Sequence, residues 1–177
     1  MFYEWFEVVM RTFQRLTTEY DEGEDRVFLN GEVHESETHV LWLTRRLLDR
    51  LIPHLTRWLE DRQRDRGDVA DLFLSFAHQA AQAQLEPQPP VALTRTGENW
   101  LIHGIDMTPS GDHIQLAFKM NGIESVAAIE FDVTQLSQWL GVLHHAYRVA
   151  DWPLGIWPGW MTPESTATDM LQSLVLH

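Results

Sequence analysis

The sequence predicts an α+β fold made of two tandem β-meander-plus-helix units, with additional helices between and after them. An internal echo carries most of this reading. Val40-Leu41-Trp42-Leu43-Thr44 lies over Ala128-Ile129-Glu130-Phe131-Asp132 without a gap at an offset of 88 residues. Leu48, Leu51, Ile52, Leu55 and Leu59 then lie over Leu136, Trp139, Leu140, Leu143 and Tyr147, so each copy reads as a short strand entering an amphipathic helix. A second observation is the alternation of Ile114, Leu116, Phe118 and Met120 on one face, followed by Asn121-Gly122, a pair that tolerates the positive φ of a type I′ hairpin turn.

The elements follow in chain order. In the first half the offset places a strand near 9–20, the turn Asp21-Glu22-Gly23-Glu24-Asp25, strands over 26–33 and 38–43, and a helix over 45–64 capped by Thr44. Phe2, Trp5, Phe6, Val9, Phe13 and Leu16 have helical spacing instead, so residues 2–19 admit either reading, with strand favoured from about Met10. Asp68 to Leu85 carries Val69, Leu72, Phe73 and Phe76 at helical spacing and reads as a further helix. Glu86-Pro87-Gln88-Pro89-Pro90 cannot continue it and reads as an extended linker. The second half repeats the plan with a strand from Trp100 to Met107, a turn at 108–112, strands over 113–120 and 125–131, and a helix from Asp132 to about Ala150, where Asp151-Trp152-Pro153 ends it. Pro53 and Gly141 occupy matching places in the two helices, so both are expected to be weakened or kinked there. A loop rich in tryptophan and proline, 152–160, precedes a short helix over Pro163 to Leu176. The divisions are therefore 1–66, 67–90, 91–151 and 152–177.

Composition narrows the class. The 177 residues are 44% hydrophobic, enough for a packed core, and the chain has no cysteine, which removes disulfides, thiolate metal sites and cysteine nucleophiles. The first residues are acidic where a secretory signal is basic, and no window is apolar enough to span a bilayer, so a cytoplasmic protein without a membrane is expected. The net charge of −13 is uneven: residues 1–37 hold ten acidic against three basic side chains, whereas 45–66 hold seven arginines against four acids. So acidic a surface is repelled by nucleic-acid backbones, so no direct nucleic-acid partner is expected.

Candidate sites are few. Arg46, Arg50, Arg57 and Arg64 lie at i, i+4, i+11 and i+18 on one line of the first helix, either a grip for phosphates or carboxylates or an ordinary solvated face. Trp152, Trp157 and Trp160 form either an aromatic patch that anchors a partner or a cap folded back over the core. His34-Glu35-Ser36-Glu37-Thr38-His39 has one residue too many for the helical H-E-x-x-H zinc motif and sits between strands, and the adjacent His144 and His145 read as a solvent-facing pair. No phosphate-binding loop, dinucleotide fingerprint or serine elbow occurs, and Asp106, Asp112, Glu130 and Asp132 sit at strand ends and turns, so no catalytic residue, metal or cofactor is assigned. The expectation is a non-enzymatic binding or regulatory protein acting through protein contacts, either with a basic partner or with itself as a homodimer. Its sharper form is an acidic inhibitor that mimics nucleic acid. The alternatives are a small-molecule-binding protein or enzyme with a pocket between the two repeat halves, lined by residues such as His103, Asp106 or His113, and a self-associating structural subunit.

Overall fold

The computed structural model describes residues 10–34, 37–92, 98–121 and 125–162. The helix expected over Pro163 to Leu176, the aromatic spacing of residues 2–9 and Gly122 of the hairpin turn lie outside them. The described chain is α+β, with eight strands in two four-stranded sheets and three α-helices. The strands are β1 (Arg11–Thr12), β2 (Arg15–Asp21), β3 (Arg26–His34), β4 (Glu37–Leu43), β5 (Asn99–Leu101), β6 (Gly104–Ser110), β7 (His113–Lys119) and β8 (Ser125–Asp132). The helices are α1 (Arg45–Asp61), α2 (Ala70–Ala83) and α3 (Val133–Val149), with 3₁₀ turns at Arg64–Val69 and Gly159–Met161.

Strands β1 and β5 explain why eight strands stand where six were expected. One sheet has the order β1-β8-β7-β6 and the other β2-β3-β4-β5. The chain leaves the first sheet and joins the second within two residues: Phe13 N donates to Ala128 O (2.8 Å) and Gln14 N to Glu32 O (2.8 Å). It crosses back at Ile102, whose N donates to Trp42 O (3.0 Å), and His103, whose N donates to Lys119 O (2.9 Å). A strand cannot keep its pleat through such a change of partner, so the single strands expected over 9–20 and 100–107 are each cut in two. The short pieces pair in parallel, β1 with β8 and β5 with β4, whereas all other pairings are antiparallel. At the first crossing the buried Phe13 ring occupies the space a Cβ on Gly31 would need, so only glycine fits there. From Arg11 onward the strand reading of the N-terminal segment holds.

The proline-rich linker is tied down. Arg15 Nη2 donates to Pro89 O (2.6 Å), Asn30 Nδ2 to Val91 O (2.7 Å), and Val91 N to Thr17 Oγ1 (2.8 Å), which lays residues 89–91 along β2 and β3. Asn30 is buried, so its amide supplies a partner for a carbonyl that an extended, unpaired segment would otherwise leave unsatisfied.

Contacts sort the chain into two units: the described residues up to Leu47 with Gln88–Asp132, holding both sheets, and Leu48–Pro87 with the described residues from Val133, holding the helices. Thr44 opens α1 by accepting the Leu47 N–H on Oγ1 (3.2 Å). Each of α1 and α3 runs 17 residues without a break, with Pro53 and Gly141 inside them. Pro53 lies on the exposed side of α1, where water can serve the carbonyl its ring leaves without an amide. Gly141 has a packing role, described below. Helix α1 ends at Asp61, short of the expected 64, and the 3₁₀ turn that follows reverses at Gly67, whose φ of 58° and ψ of −133° belong to glycine. Helix α3 stops with Asp151 at φ 54° and Trp152 N donating back to Tyr147 O (3.0 Å), a left-handed terminator that swings Trp152 onto Tyr147. No described helix is long and apolar enough to cross a membrane.

Candidate functional site

Helix α2 is apolar on two sides, and the sides differ in fate. Leu74, Ser75, His78 and Ala81 are buried. Around them runs a polar seam to α3: His78 Nδ1 lies 2.8 Å from Ser137 Oγ, Gln82 Nε2 donates to Ser137 O (2.9 Å), and Gln138 Nε2 donates to Ala81 O (2.9 Å). The Gln82 amide fills the space a Cβ on Gly141 would take, which accounts for a glycine in mid-helix. Trp160 closes this end, its ring edge-on to His78 at 5.8 Å and its Nε1 donating to Glu60 Oε1 (3.0 Å).

A serine hydroxyl beside an imidazole has the two parts of an activated nucleophile. Two observations argue against that use. Burial, then the neighbouring His144, pushes His78 down to about 4, so it is a feeble base near neutral pH. The adjoining cavity, lined by Leu59, Leu74, His78, Ser137 and Trp160 among others, holds about 80 Å³, below the ~300 Å³ at which ligand pockets begin. The pair acts as a register pin between α2 and α3, since each polar group has one position in which it is satisfied.

The outward side of α2 is different. Val69, Phe73 and Phe76 are 47%, 42% and 54% exposed, and Ala80 and Ala83 continue the line in the open. Their spacing of four, three, four and three residues is the seam of a helix that packs against another helix. From Leu72 to Leu85 there is no Asp, Glu, Lys or Arg, in a chain of which 22% is charged. Arg66 closes the N-terminal end, its guanidinium 4.0 Å from the Phe73 ring centroid.

The residues singled out from sequence divide. Arg46, Arg50 and Arg57 stand exposed along α1 with His54, also exposed, between the last two, and among the described residues none of the three arginines has an ion-pair partner. Arg64 leaves the line because α1 has ended; it lies in the 3₁₀ turn, paired with Asp61. Trp152, Trp157 and Trp160 are all buried. Trp152 and Trp157 meet the fully buried Tyr147 ring edge-on at 4.9 and 5.3 Å, and the Tyr147 hydroxyl donates to Asp49 (2.8 Å). The loop is thus a core cap, the second of its two readings. His144 is half-buried and edge-on to Trp157 at 5.0 Å, and burial lowers its pKa, so only His145 faces solvent. His39 is buried, stacked on Trp100 at 5.0 Å and 2.8 Å from Glu37 Oε1. That hydrogen bond holds the Glu37 carboxyl below its ordinary range; burial, the next largest effect, opposes it, and a hydrogen bond from Arg11 adds to the lowering. Among the described residues no three His, Asp or Glu side chains converge as metal ligands. Asp106 pairs with Lys119, and His103 and His113 are exposed.

Comparison with protein-family models, with curated proteins and with solved structures finds no match. The class is that of an α+β protein with one helix carrying an open apolar seam. Sequence reasoning passed over that seam because Val69, Phe73 and Phe76 look like a core-facing stripe; the absence of charge from Leu72 to Leu85 was the available signal.

Proposed function

We propose that the chain is a non-enzymatic binding or regulatory protein that works through protein contacts, and that the outward side of α2 is the contact surface. The observation that carries this reading is the exposure of Val69, Phe73 and Phe76 on a helix face without charge. Apolar side chains this large, lined up on one helix, gain most by meeting a complementary apolar surface. The basic line of Arg46, Arg50 and Arg57 supplies a flanking surface for an acidic segment of a partner. The acidic-inhibitor form of the proposal draws support from the charge of −13 and from the exposed Glu22, Glu24 and Asp25 at the β2–β3 turn. A cytoplasmic setting belongs to the same proposal and suits a cysteine-free chain.

We also read the two halves as a tandem repeat. Support comes from α1 and α3, equal in length and beginning 88 residues apart at Arg45 and Val133, and from β1 and β5, each of which pairs in parallel with the strand that precedes the other half's helix.

A photo-reactive phenylalanine analogue placed at position 76 in the native host tests the contact. The expected result is a covalent adduct with a polypeptide that does not form from the same analogue at exposed position 112. If position 76 yields no adduct, the face is not a contact surface.

A further inference from the structure

We infer that the occupant of the α2 outward face is the same face of a second copy, the two helices running antiparallel about a twofold axis at Phe76. The inference rests on the contact reading above and commits it to one partner. The first argument is volume. With Phe76 stacked on its own counterpart at the axis, Phe73 of one copy meets Ala80 of the other and Val69 meets Ala83, so on either side of the central pair each large side chain faces a small one. A parallel pairing sets Phe73 against Phe73 and Ala80 against Ala80, which wedges the helices apart at one end and leaves a gap at the other.

The second argument is charge. The antiparallel pairing brings Arg66, whose guanidinium lies over the Phe73 ring, toward the C-terminal end of the other copy's helix, where a cation meets the negative end of the dipole and the exposed Glu86 follows. The parallel pairing puts Arg66 against Arg66 and Asp71 against Asp71. Antiparallel helices also align their dipoles favourably. Between the ends, the charge-free run from Leu72 to Leu85 lets two molecules of net charge −13 approach without placing like charges opposite one another. The face is self-complementary, as a closed twofold interface requires.

Sedimentation velocity of the full chain over a range of concentrations tests the inference. The expected result is a concentration-dependent dimer for the native chain and for Arg50→Glu, and a monomer for Phe76→Glu, whose two carboxylates would meet on the axis and weaken association by about a hundredfold. Ala80→Glu, on the exposed line, is a second variant should Phe76→Glu unfold. Orientation is read from disulfide trapping, for which the cysteine-free chain is a clean background. Phe76→Cys alone and the double variant Val69→Cys/Ala83→Cys should cross-link two copies under mild oxidation, whereas Val69→Cys alone should not. Cross-linking by Val69→Cys alone overturns the antiparallel arrangement. A native chain that stays monomeric overturns the second copy as occupant; an adduct at position 76 with a different protein would then leave the contact reading standing, and no adduct would remove both.

Discussion

His78 shows at the scale of one residue how a polar group can be buried for position and not for chemistry. Its imidazole is fixed by Ser137 and walled by Trp160, and burial, followed by His144, lowers its pKa to about 4. The unfolded chain takes up a proton near pH 6.5 that the folded one refuses until about pH 4. The stability contributed by the neutral side chain is therefore complete above 6.5, declines as pH falls through this window and is gone below 4, a loss of roughly 3 kcal/mol. Urea unfolding between pH 7 and pH 4 should show this slope in the native chain and a shallower one in His78→Asn, which keeps a donor near Ser137 without the titration. Equal slopes would mean that His78 titrates normally. Gly67 gives a second expectation: nothing lies within 4 Å of a Cβ there, so Gly67→Ala should cost about 1 to 3 kcal/mol through backbone strain alone. None of this was legible in the sequence, because His78 and Ser137 are 59 positions apart and meet only when α2 and α3 pack.

Helix α2 carries the lesson at the scale of the element. Its existence was readable from the spacing of Val69, Leu72, Phe73 and Phe76, but its orientation was not: the core received Leu74, Ser75, His78 and Ala81, while Val69, Phe73 and Phe76 stay exposed. A helix apolar all round gives periodicity no handle on which side is in, and here three interhelical hydrogen bonds involving His78, Gln82 and Gln138 hold the more polar side inward. By contrast Leu48, Leu51, Ile52, Leu55 and Leu59 in α1, and their counterparts in α3, are all buried as their spacing required. The exposed face is expected to be dispensable for folding. Phe73→Glu/Phe76→Glu should keep the native melting temperature within a few degrees in the monomeric state while abolishing association, since surface changes usually stay within about 0.5 kcal/mol each. A collapse of the thermal transition in that variant would show that the two rings belong to the core.

For the whole molecule, the fold class and most strands were legible because alternation and turn chemistry are local, as in the 113–119 and 125–132 pair. The change of sheet at Phe13–Gln14 and at Ile102–His103 was not, because it is decided by which carbonyl each amide meets far along the chain. Net charge acts at this scale too. Two copies at −13 repel through solvent, so dimerisation through an uncharged face should strengthen as salt rises from low to physiological strength, whereas a charge-driven complex with a basic partner should weaken. Sedimentation at two ionic strengths separates these cases by the sign of the change. The most direct test of the α2 face as the site of self-association is amide hydrogen exchange on the native chain at low and high protein concentration. Protection should rise with concentration in residues 69–85 and stay constant in both sheets; a rise confined to other segments such as 45–57, or no rise anywhere, would contradict the account.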